Sequence, residues 1–120
     1  MQLPRNVDIK WGAAERNAIN YLELLHEYSR ANIGSIPLVR VDALAGLTSL
    51  YDATAIGRPV LMTRNPYIDI DIEAEGIGVW IDAGNDAQWR DTFTSLMSSP
   101  ERLKKMGEQA LRLGREKYNI

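Results

Sequence analysis

Gly46, Thr48, Ser49 and Asp52 fall within seven consecutive positions and together offer the parts of an anion site. The stretch 47–56 is almost free of charge and reads as a largely buried helix. Gly57 ends it at the position that favours a left-handed residue, and Pro59 follows. The N–H groups of a first helical turn have no partner within the helix, and the helix dipole adds roughly half a positive charge there. Phosphate suits such an end. Gly46 lets the backbone approach a ligand closely, Leu47 supplies a backbone N–H, and Thr48 and Ser49 add hydroxyl donors. Asp52 lies four residues after Thr48, so both project from one face about a turn apart. The bland alternative is a helix that starts near a glycine, carries one polar residue and binds nothing.

Other residues invite the same pair of readings. Arg64 and Asn65 follow a short apolar strand, 60–63, at its carboxyl end, where they either contact a phosphate or sugar or form a plain loop. Asp69, Asp71, Glu73 and Glu75 alternate with Ile70, Ile72 and Ala74. On a strand the four carboxylates would share a face and attract a hard cation, but a solvated face is the simpler expectation. An EF-hand fails because its twelfth ligand would fall at Trp80. Trp11 reads as a core residue before it reads as a base-stacking one. His26, between Glu23 and Glu27, reads as a surface residue.

These candidates need elements to hold them. Strands are expected at 6–11, 32–39, 60–63 and 78–81, with 68–75 ambiguous between strand and helix. A helix over 17–30 carries Ala18, Ile19, Leu22, Leu25 and Tyr28 on one stripe. Asn85 is placed to cap a further helix, with Gln88 as its capping-box partner and Trp89, Phe93, Leu96 and Met97 as its apolar stripe. Ser99 and Pro100 open a last helix, buried through Leu103, Met106, Ala110, Leu113 and Tyr118. Strands alternating with helices argue for an α/β fold with a parallel sheet.

Composition narrows the classes. The chain has 120 residues, a length for one domain at most, and 45% apolar residues, an ordinary globular fraction. A net charge of −2 argues against a nucleic-acid partner. Zero cysteines exclude disulfides and thiolate metal sites, and one histidine disfavours zinc chemistry, so no metal and no resident cofactor are expected. No apolar stretch reaches the ~20 residues of a membrane span. The expected setting is the cytoplasm, with at most a peripheral contact between the basic last helix and the inner face of a membrane.

The stretch Ala45-Gly46-Leu47-Thr48-Ser49-Leu50-Tyr51-Asp52-Ala53-Thr54-Ala55-Ile56-Gly57-Arg58-Pro59-Val60 resembles the donor-binding signature of glycosyltransferases with the GT-B fold: a small-residue turn, then an acid-Ala-x-Ala-x-Gly-x-Pro-Val block. Gly76-Ile77-Gly78-Val79-Trp80-Ile81, Pro100-Glu101, Met106-Gly107, Pro4-Arg5-Asn6-Val7 and the stretch 28–37 also resemble parts of that family's C-terminal domain. The resemblance implies a Rossmann-like, three-layer αβα domain with a mostly parallel, incomplete sheet of about four strands. It implies a nucleotide-sugar donor as substrate, its diphosphate held by Gly46, Leu47, Thr48 and Ser49 and its ribose by Asp52. Many retaining members carry a second acid eight residues before the ribose-binding one. That position is Leu44 here; Asp42, ten residues before Asp52, is the candidate to substitute for it as a donor contact if the loop is longer. Retention and inversion both stay open, and no catalytic residue is assigned.

The family's acceptor-binding domain and the first units of its donor domain have no counterpart in these residues. The chain is therefore expected to be part of a glycosyltransferase, inactive alone, and to associate with a missing N-terminal domain, a partner subunit or itself through the incomplete sheet. The rival expectation is a non-catalytic α/β interaction module docking on a partner. A receiver-like signalling domain is weaker still, because no acidic cluster ends an early strand.

Overall fold

A computed structural model describes residues 22, 23, 26, 30–38 and 45–117. Among these residues it is an α/β protein built on three parallel strands. These are β1 (Gly34–Ile36), β2 (Val60–Thr63) and β3 (Gly78–Ile81), in the spatial order β1-β2-β3. Among the described residues three helices have bounds: α1 (Leu47–Ala55), α2 (Asp86–Met97) and α3 (Pro100–Glu116). Gly34 to Ile36 register with Val60 to Met62, and Val60 to Thr63 register with Gly78 to Ile81.

The central strand sets the layers. All four residues of β2 are buried, so both of its faces need apolar cover. Side chains alternate across a strand. Val60 and Met62 accordingly join a cluster with Ile36, Leu50, Ala53, Trp80, Ala110 and Leu113, while Leu61 joins Ile81, Leu96 and Met106. Helix α1 covers the first face and α2 the second. Helix α3 serves both, with Met106 on one cluster and Ala110 and Leu113 on the other. This layering is compatible with a Rossmann-like arrangement.

Helix α1 ends as its sequence predicts. Gly57 is left-handed (φ 73°), its N–H bonds the Thr54 carbonyl at 3.1 Å, and the Arg58 N–H reaches the Ala53 carbonyl at 2.9 Å. That pair of bonds is a Schellman motif. The end of α1 then meets α3 through backbone. A Cβ added to Gly107 would stand 2.7 Å from the Gly57 carbonyl oxygen, and one added to Gly114 would stand 3.0 Å from the Thr54 carbonyl oxygen.

Several expectations are corrected. Strand β1 is three residues long; the next N–H that faces β2, that of Leu38, bonds the Thr63 hydroxyl at 2.8 Å and not a backbone carbonyl. The stretch 68–75 is neither strand nor helix. Residues 72–76 form turns, so its acids share no strand face, and no group of three metal-ligating side chains occurs among the described residues. The turn is held by Asp71, whose carboxylate accepts from the N–H groups of Glu73 (3.1 Å) and Ala74 (3.3 Å) and from the Trp80 indole (3.1 Å). The capping box at α2 is half-formed. Asn85 accepts from the Gln88 N–H at 2.9 Å, but the Gln88 side chain accepts from the Asp82 N–H at 2.8 Å instead of closing the box. Of the α2 stripe only Leu96 is fully buried, and Phe93 (46%) and Met97 (40%) are exposed. Leu22 is helical but 76% exposed, against the burial expected at its place on the stripe. The expected strand at 6–11, Trp11 and Tyr118 lie outside the described residues.

The outer edge of β3 is closed by its own chain. The Gly78 N–H bonds the Ile72 carbonyl (3.1 Å), the Trp80 N–H the Glu73 carboxylate (3.0 Å) and the Asp82 N–H the Gln88 side chain (2.8 Å).

Two tests follow from this packing. Gly107→Ala drives a methyl group into the Gly57 carbonyl, and a loss of about 1–3 kcal/mol in urea unfolding is expected; an unchanged midpoint would mean that α3 shifts freely against α1. The Ala74 N–H first, then the Trp80 indole, hold the Asp71 carboxyl below its ordinary 3.8, with the Glu73 N–H and Arg64 acting the same way. A depressed carboxyl contributes stability that is whole above the ordinary value and is lost as pH falls through the lower, folded one. Thermal unfolding of Asp71→Asn between about pH 2 and pH 5 should therefore depend less steeply on pH than that of the parent. Parallel curves would remove Asp71 from the acid response.

Candidate functional site

Parallel strands deliver their following loops to one edge of the sheet, and the helix after β1 starts there. The connection from β1 returns at Ala45 and Gly46, where α1 begins. Gly46 is its N-cap, left-handed at φ 87°, and no side-chain cap bond is made among the described residues. The first bond of the helix runs from the Leu50 N–H to the Gly46 carbonyl at 3.0 Å. The N–H groups of Leu47, Thr48 and Ser49 make no hydrogen bond among the described residues. Thr48 is exposed, and Gly46, Leu47 and Ser49 are half-buried, so the helix start opens outward.

Asn65 builds the rim. It is 2% exposed, and its amide donates to the Ala45 carbonyl at 3.0 Å while its carbonyl oxygen accepts the Tyr67 N–H at 3.0 Å. One side chain thus ties the loop after β2 to the residue that precedes the N-cap. The structure brings Asn65 together with Gly46, Leu47, Thr48 and Ser49, but as a brace across the loops. Its buried amide is spent on the protein's own backbone.

Arg64 sits at the same edge and faces elsewhere. Its guanidinium pairs with Asp82 at 3.2 Å, both side chains exposed, and its backbone N–H bonds the Ile81 carbonyl at 2.8 Å. Exposed pairs of this kind contribute little to stability, so Arg64 is held loosely where β2 and β3 end. Asp52 lies on α1 one turn beyond Thr48 and is 8% exposed, with a partner within the protein. It is a deeper and more enclosed group than the sequence spacing suggests. Asp42 lies outside the described residues.

The glycine at the N-cap has a reason that its sequence neighbours do not supply. A Cβ on Gly46 would stand 2.6 Å from the Met62 methyl carbon and 3.2 Å from Ile36 Cγ2. Its tight contact is with the core beneath, and its positive φ turns the chain into the helix. The open side of the cradle comes from Thr48 and Ser49. The Asn65 brace is visible in sequence only as a polar residue at a strand end; its anchoring role needs the fold.

His26 is exposed, as expected. No helix among the described residues is long and apolar enough to cross a membrane. Compared with known protein families, curated proteins and solved structures, the chain shows no match in any of the three.

Proposed function

We propose that the start of α1 binds the diphosphate of a nucleotide-sugar and that the chain is the donor-binding part of a GT-B glycosyltransferase. The observation that carries this reading is the uncapped first turn of a nine-residue helix at the carboxyl edge of a parallel sheet, with three N–H groups unused among the described residues. Helix ends of this kind suit phosphate oxygens through their N–H groups and dipole. The exposed Thr48 hydroxyl and the half-buried Ser49 hydroxyl add donors at the same end. The sequence block from Ala45 to Val60 supports the choice of donor. Asp52, a turn deeper, takes the ribose hydroxyls, its remaining exposure marking the inner limit of the site. Arg64 is the cation that can swing from Asp82 toward a bound phosphate, since an exposed pair exchanges at little cost.

Transfer itself requires an acceptor surface opposite this edge, supplied by a further domain or a partner subunit. The chain alone is therefore proposed to bind donor without turning it over. A second reading, an interaction module without catalysis, draws on Phe93 and Met97, exposed one turn apart on α2.

Binding of uridine, guanosine and adenosine diphosphates, followed by thermal shift, tests the proposal and identifies the base. Thr48→Glu puts a carboxylate at the mouth of the cradle. Negative charge at a helix start favours the helix, so the variant should fold at least as well as the parent while losing the nucleotide-induced shift. Equal shifts in parent and Thr48→Glu would place the nucleotide elsewhere and sink the reading. Asp52→Ala should weaken nucleoside diphosphate binding by about 1–3 kcal/mol and leave inorganic pyrophosphate binding unchanged. An equal loss for both ligands would deny Asp52 its ribose role.

A further inference from the structure

The opposite end of the sheet, where the strands begin, holds an open cavity of about 540 Å³. That volume lies within the range of small-molecule sites, roughly 300–1,000 Å³. Arg30 and Arg58 line it, but both have partners within the protein, so neither is counted toward a ligand. Lys104 and Glu108 line it from α3, and neither makes a hydrogen bond or ion pair among the described residues. We propose that this cavity binds a free α-amino acid with an apolar side chain, its carboxylate on Lys104, its ammonium on Glu108 and its side chain against Leu103 and Leu111.

The two unspent charges come from one helix. Lys104 and Glu108 are four residues apart on α3, so they project from one face about a turn apart, and both are exposed. A ligand of a single sign would gain one contact and meet its own charge a turn away. An α-amino acid carries both signs on one carbon, and the flexible stems of lysine and glutamate let their heads close on it from two sides. Each contact is charge-assisted, and its exposure to water keeps its worth small, so the apolar contact must contribute as well. Leu103 and Leu111, both half-buried, supply that wall with Pro59. The floor is backbone. Gly57 and Gly107 both line the cavity and meet so closely that a Cβ on Gly107 would stand 2.7 Å from the Gly57 carbonyl oxygen. Neither residue has a side chain that could occupy the space.

This site is separate from the start of α1. The helix has nine residues, so its two ends stand about 13 Å apart at 1.5 Å per residue. An amino acid at the cavity leaves Thr48 untouched, and the proposal stands or falls independently of the nucleotide reading.

Titration of the full chain with leucine, N-acetylleucine and leucinamide, followed by the backbone amide signals in NMR, tests it. Leucine should shift the Gly57 and Gly107 signals saturably, with a dissociation constant on the order of millimolar. N-acetylleucine lacks the ammonium and leucinamide the carboxylate, so each should bind roughly fivefold more weakly, the scale of one exposed charged contact. Two variants at exposed positions separate the contacts. Glu108→Gln should bind leucine and N-acetylleucine alike while still preferring leucine to leucinamide, and Lys104→Met should do the reverse. Thr48→Glu should behave as the parent. The proposal is overturned if leucine does not shift the Gly57 and Gly107 signals, if the parent binds all three compounds equally, or if both cavity variants keep both preferences. It is also overturned if leucine shifts the signals of residues 47–49 instead, since the ligand would then sit at the start of α1.

Discussion

Burial of β2 on both faces is the constraint from which the rest of the molecule follows. A strand with Val60, Leu61, Met62 and Thr63 all out of water cannot lie on a surface. It needs a strand on each side to take its backbone groups and a helix over each face to take its side chains. Parallel neighbours force each connection to cross over, and the crossover from β1 to β2 is α1. The carboxyl ends of the strands and the start of α1 are thereby brought to one edge. The candidate anion cradle is a product of this arrangement, since nothing in residues 46–49 alone would place their N–H groups beside Asn65.

Helix α3 turns a sheet with two helices into a closed core. It touches both apolar clusters, and it reaches α1 only because residues 107 and 114 have no side chain. Its face of Met106, Ala110 and Leu113 is ordinary helix patterning. The two glycines cost helix propensity, roughly 1 kcal/mol each relative to alanine, and that cost is offset by backbone-to-backbone contact with the end of α1. The same contact floors an open cavity of about 540 Å³ lined by Gly57, Pro59 and Gly107, so packing and cavity share one cause.

The parts legible in the sequence are those governed by local rules. The bounds of β2 and β3, the Gly57 stop and the Pro100 start follow from apolar runs, a left-handed cap and proline's missing N–H. The start of α1 at Leu47 is legible for the same reason. What escapes depends on partners distant in the chain. Alternation of Asp and Ile over 69–72 imitates a strand, yet the Asp71 side chain bonds its own turn and the Trp80 indole, which no period reveals. The Gln88 side chain accepts from the Asp82 N–H just after β3, and not from the Asn85 N–H of a capping box. Phe93 and Met97 satisfy a helical stripe, but the surface they would cover is narrower than the stripe is wide. Gly46 reads in sequence as room for a ligand's approach, whereas the Met62 and Ile36 side chains already demand it. Asn65 does stand at a strand end, and its buried brace to Ala45 becomes readable only once the two loops lie side by side.

The closed margin of β3 gives the sheet a direction of growth. Ile72, Glu73 and Gln88 occupy the donors to which an incoming strand would bond. Among the described residues, only the β1 flank is left for extension. A ribbon that lengthens from one flank only is self-limiting: two molecules meeting through their β1 flanks form a finite pair whose outer borders are both shut. Endless stacking of the amyloid kind requires two receptive borders per unit, and this chain, in its folded state, presents one at most.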